Sequence, residues 1–119
     1  MESRLIFETD KTYKDKIEWI KTSEESESEW IYLSFEESLN EKDFLDLINE
    51  YLNSDILYIA ISRKNSFEFK KESIISEVKE YLGCIDFTVW NQEFNKAIEF
   101  NKIGIYRKGI IHFNSPNSL

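Results

Sequence analysis

The sequence predicts an α+β domain: a mixed or mainly antiparallel sheet, about three helices packed on it, and an antiparallel meander at the C-terminal end. Three observations predict it. Helix-period stripes and strand-like runs take turns as far as Leu82, and after Trp90 the chain breaks into short apolar pieces separated by turn residues. A chain of 119 residues that is 41% hydrophobic and 15% aromatic, with three glycines and one proline, also has enough apolar surface for one buried core. The helical alternation of the first half leaves a mostly parallel α/β sheet as the alternative. A single globular domain is expected over residues 1–119, with the turn-rich 114–119 as a frayed tail.

The elements follow in order. Residues 5–7, "LIF", bounded by Arg4 and Glu8, read as a short first strand. Asp10 then reads as an N-cap, and Tyr13, Ile17 and Ile20 fall on one face of a helix reaching about Lys21, with Trp19 off that stripe. "WIYLSF" at 30–35 has the aromatic and β-branched density of a strand. Asn40 caps a helix whose Phe44, Leu47, Ile48, Tyr51 and Leu52 form an apolar stripe. "ILYIAI" at 56–61 is apolar throughout, which predicts a central strand covered on both faces. Ile74, Ile75, Val78, Tyr81 and Leu82 make a third helical stripe, ended by Gly83 in the left-handed conformation. "CIDFTVW" at 84–90 alternates as a strand, with Ile85, Phe87 and Val89 on one face. "AIEF" at 97–100, "IGIY" at 103–106 and "IIHF" at 110–113 follow, separated by the turn-like "NK" and "RKG".

Catalytic and metal chemistry finds little purchase. The single histidine, His112, could join Cys84 and Asp86 in a Cys-His-Asp set, but no local signature surrounds either residue, and a small cysteine beside a strand histidine explains them. One cysteine and one histidine are too few for a zinc site, no calcium loop is formed, and three glycines cannot build a phosphate loop. Asp55 before a strand, followed by Glu68 and Lys70, is similar to the Asp…Glu-x-Lys layout of metal-dependent nucleases. Seventeen glutamates and twelve lysines produce such triplets by chance, and Glu77 with Lys79 is a second. No enzyme, metal or cofactor is expected. The lone cysteine, the absence of a secretory leader in "MESRLIFETDK" and the lack of any run of about 18 apolar residues point to a cytoplasmic protein without membrane spans.

Charge is the stronger signal. The formal net charge is −8, and it is regional: residues 8–50 hold fourteen acids against five lysines, while residues 51–119 hold eight acids against nine bases. Such a surface repels nucleic acid and speeds association with cationic proteins. "TSEESESEW" at 22–30 contributes Glu24, Glu25, Glu27 and Glu29, and Glu36 and Glu37 continue the acidity past Trp30. A solvated connector whose glutamates guard an aromatic strand against aggregation is the simpler account of the loop alone. Acids that persist among Trp19, Trp30, Tyr32 and Phe35 instead have the composition of a protein-binding surface, with carboxylates speeding encounter and aromatic rings resisting dissociation. The candidate partner-binding residues are therefore Glu24, Glu25, Glu27, Glu29, Trp30, Glu36, Glu37 and Trp19. Strand-edge pairing through "GIIHF" at 109–113 is a different route to a partner.

The acidic "EESESEW" and the strand-turn stretch "FNKAIEFNKIGIYRKG" at 94–109 sit in a small, cysteine-poor, acidic chain that resembles the immunity proteins of bacterial polymorphic toxin and contact-dependent growth inhibition systems. That resemblance implies a one-to-one inhibitor covering the active or substrate-binding surface of a cognate toxin, often a basic nuclease. It carries no residue across by position. Independently, a nuclease must present lysines and arginines to phosphate, so an inhibitor can offer carboxylates in their place. A phage- or plasmid-type DNA mimic, and a small enzyme using Asp55, Glu68 and Lys70, are the alternatives.

Overall fold

The computed structural model describes residues 1–21, 28–32 and 41–112. Helix α1, Ser3–Lys14, comes first. Two short strands follow, β1 (Glu18–Trp19) and β2 (Ile31–Tyr32), and then α2 (Glu41–Leu47), which passes into a π-helical turn at Ile48–Leu52. The hairpin of β3 (Ile56–Ala60) and β4 (Phe67–Lys70) leads through a 3₁₀ turn to α3 (Ile74–Val78). The chain closes with β5 (Phe87–Asn91), β6 (Lys96–Asn101) and β7 (Ile105–Ile110). All described strand pairs are antiparallel, in the order β1-β7-β6-β5-β3-β4, with β2 also on β7. This is the α+β class expected, ending in the β5-β6-β7 meander.

Alternation along the strands builds two apolar layers, because successive side chains point to opposite faces. On one face Leu57, Ile59, Phe87, Val89, Ile98 and Phe100 meet Phe44, Ile48 and Leu52 from α2 and its extension, and Ile74 and Val78 from α3. On the other, Tyr58, Ala60, Trp90 and Ala97 meet Ile6 of α1, with Ile17, Phe94 and Ile111. Strand β3 is thus covered on both sides, as its unbroken apolar run requires. The half-buried hydroxyl of Tyr51, pushed up to about 12 by desolvation, donates to the Gly109 carbonyl at 2.7 Å and ties the π-helical turn after α2 to β7. Gly83 takes φ 78°, the left-handed position read for it, although α3 itself ends earlier, at Val78.

Four expectations are corrected. Residues 5–7 are not a strand, and Asp10 is not a cap: both lie inside α1, whose buried positions are Ile6 and Asp10, one turn apart. A carboxylate inside the buried stripe hid the helical period. The expected helix to Lys21 stops at Lys14, and Trp19 belongs to a strand. "RKG" is not a turn between two strands but the interior of β7, for reasons that lie in what packs on Arg107 and Gly109. Strand β4 went unread because its Phe-Glu-Phe-Lys run is short and half charged. Of the strand expected at 30–35, Ile31 and Tyr32 are strand; residues 33–35, the Asn40 cap and the tail at 114–119 lie outside the described residues. Among the described residues no helix is long and apolar enough to cross a membrane.

Candidate functional site

Strand register defines the first part of the site. Glu18 and Trp19 face Ile110 and Gly109, and Ile31 and Tyr32 face Tyr106 and Ile105, so β1 and β2 line the same edge of β7. Pairing continues one step past β1, where the Ile20 N–H donates to the Lys108 carbonyl at 2.8 Å. Residues 20–30 then separate the two strands where β7 has only Arg107 and Lys108. The acidic "TSEESESE" is therefore an insertion in an interrupted edge strand.

Its two ends meet on Arg107. A side chain at Gly109 would collide with Ile17 Cγ2 and lie 2.8 Å from Trp19 Cε3, so glycine is what lets Trp19 lie flat over the strand. From there the Trp19 ring centroid is 3.9 Å from the Arg107 guanidinium carbon, and that of Trp30 is 4.6 Å away. The same guanidinium pairs through Nη1 with Glu29 Oε1 at 3.0 Å, and through Nε and Nη2 with Glu99 Oε1 at 3.1 Å. Arginine suits this position because a planar, weakly hydrated cation can stack on rings and bridge carboxylates together.

The ion pairs continue beneath α1. Lys14 Nζ lies 3.3 Å from Glu99 Oε2, 3.1 Å from Thr88 Oγ1 and 4.0 Å from Asp10 Oδ2. Asp10 is 6% exposed, and its Oδ1 accepts a 2.8 Å bond from the indole N–H of the fully buried Trp90. Desolvation raises the Asp10 carboxyl above its ordinary range and outweighs the lowering by Lys14 and by the Trp90 hydrogen bond. These groups border a cleft of about 380 Å³ between α1 and the ends of β3, β5 and β6, with Phe7 and Ala60 as apolar lining on the α1 side and Asp86 on its rim.

Of the residues read as partner-binding, Trp19, Glu29 and Trp30 are thus brought together, on a cation of the chain's own. Glu24, Glu25, Glu27, Glu36 and Glu37 lie outside the described residues. The Cys-His-Asp idea fails on topology: β5 and β7 run the same way, so Cys84 and Asp86, before β5, stand at the opposite end of the sheet from His112, after β7. His112 is exposed beside Glu18, 3.4 Å away. Glu68 of the nuclease-like layout pairs with the N-terminal ammonium at 3.0 Å, and among the described residues no three His, Cys, Asp or Glu side chains could share a metal ion. Asp10, Lys14, Glu99 and Arg107 were missed. Their signal was charge on the inward phase of elements that are otherwise apolar on that side. Comparison with known protein families, curated proteins and solved structures finds no match.

Proposed function

We propose that this chain is an acidic binding protein that neutralises a cationic protein, in the manner of an immunity protein that covers the active or substrate-binding surface of a basic, nuclease-type toxin in the cytoplasm. The observation that carries this reading is the insertion itself. The edge strand needs two residues opposite Arg107 and Lys108, yet the chain supplies residues 20–30, four of them glutamates. Loops set on a rigid sheet are where binding residues concentrate, and a segment the sheet does not need points to a role outside the fold. In this reading Glu24, Glu25 and Glu27 face the partner's lysines and arginines, with Glu36 and Glu37 extending the field. Glu29, Trp19 and Trp30 hold the insertion's ends on Arg107, so their part is positioning more than direct contact.

Capture of the partner from the native host with a tagged chain, followed by assay of the captured protein, tests the proposal. A basic enzyme bound one-to-one and inhibited on binding is the expected outcome. A captured partner that is neutral or acidic, or one whose activity the chain leaves intact, contradicts it.

A further inference from the structure

The cleft under α1 has a chemistry that the acidic insertion does not use. Three carboxylates border it from separate elements: Asp10 on α1, Asp86 just before β5 and Glu99 on β6. Two ammonium groups oppose them, and both are engaged, Lys14 with Glu99 and Thr88, and Lys11 over the Phe7 ring at 5.5 Å. Asp86 Oδ1 accepts the Lys102 backbone N–H at 2.7 Å, which fixes that carboxylate at the rim. Asp10 is the most buried of the three: its Oδ2 stands 4.0 Å from Lys14, and its Oδ1 accepts from the neutral indole of Trp90. Between these carboxylates lie the apolar Phe7 of α1 and Ala60 of β3.

We propose that this cleft binds a primary ammonium carried on an aliphatic stem, the head seated toward Asp10 and Asp86 and the methylenes against Phe7 and Ala60. The volume of about 380 Å³ lies in the range of small-ligand sites, and charged groups from separate elements converge on it. A bound cation supplies the compensation that Asp10 lacks and favours its ionised form. Binding therefore strengthens as pH rises through the Asp10 titration; Lys11, Lys14, Glu99 and Asp86 are the other charged groups facing it. The same head and stem occur in a free diamine and in a lysine side chain of a protein. The proposal does not rest on the role of the insertion, because the groups it uses come from α1 and from the ends of β3, β5 and β6.

NMR titration of the whole chain with 1,5-diaminopentane, with neutral pentane-1,5-diol and with a blocked Gly-Lys-Gly peptide tests it. The diamine is expected to shift the Trp90 indole N–H and the amides of Asp10, Asp86 and Thr88 saturably, with a dissociation constant of order 1 mM, and the diol to leave them in place. A peptide that moves the same resonances identifies a protein lysine as the ligand; a peptide that does not leaves the free amine. Asp10→Asn and Asp86→Asn should each weaken binding about tenfold, and the rim substitution decides the matter if the buried one impairs folding. Failure of the diamine to move the Trp90 indole, or equal affinity in the variants, overturns the proposal. Gln at Glu24, Glu25 and Glu27 should leave diamine binding unchanged, which separates this outcome from the fate of the toxin-binding reading.

Discussion

At the scale of single residues, positions that break the local pattern prove the most informative. Asp10 sits where an apolar residue would continue the α1 stripe, and its carboxyl is raised mainly by desolvation. The sign follows from linkage: the folded state holds the proton more tightly than the unfolded chain, so Asp10 costs nothing below about pH 3.8 and becomes a penalty as pH rises through its folded value. Asp10→Asn, whose amide oxygen can still accept from Trp90, should therefore raise the melting temperature at pH 7 and lose that advantage near pH 3, as calorimetry across pH would record. Asp10→Leu should instead cost about 1–3 kcal/mol by leaving the buried indole N–H without an acceptor. Gly109→Ala has no room beside Ile17 and Trp19, so it should cost about 1–3 kcal/mol in denaturant unfolding and displace Trp19 from Arg107.

Elements were legible in the sequence wherever one physical signal dominated. The α2 stripe, the doubly covered β3 and the strands β5 and β6 rest on apolar periodicity, and each appears where periodicity put it. The signal failed where a charge occupies a buried phase. Asp10 disguised α1, and Arg107 with Gly109 made the middle of β7 look like a turn, because the pairing with Glu99 and the two tryptophans is long-range and leaves no local trace. Likewise nothing local says that β1 and β2 share one edge of β7. Arg107 joins these elements, so Arg107→Ala should leave Glu99 and Glu29 short of a counter-charge and cost about 2–4 kcal/mol. Arg107→Lys keeps the charge but loses the stacked plane and should recover only part of it. In both variants the tryptophan emission should shift to the red as Trp19 and Trp30 lose their cover.

For the whole molecule, the sheet separates two layers of different character. One face is closed by α2 and α3 over an almost wholly apolar core; the other is apolar only under α1 and turns ionic toward β7. The ion-pair chain from Asp10 through Lys14, Glu99 and Arg107 to Glu29 spans that second face and ends where the acidic insertion begins. Its links run from 3.0 Å at Glu29 to 4.0 Å at Asp10, and such networks hold geometry better than they add net stability. The fold thus engages Arg107 internally, with Glu29 and Glu99. Regional acidity was readable from composition, whereas the pairing of Glu29 with Arg107 was not, since it depends on the strand register that brings them together. The association rate of the captured partner, followed against ionic strength for the native chain and for a variant with Gln at Glu24, Glu25 and Glu27, tests the account most directly. An approximately tenfold slower association at low salt in the variant, converging with the native chain at high salt, is predicted; identical rates with identical salt dependence would contradict it.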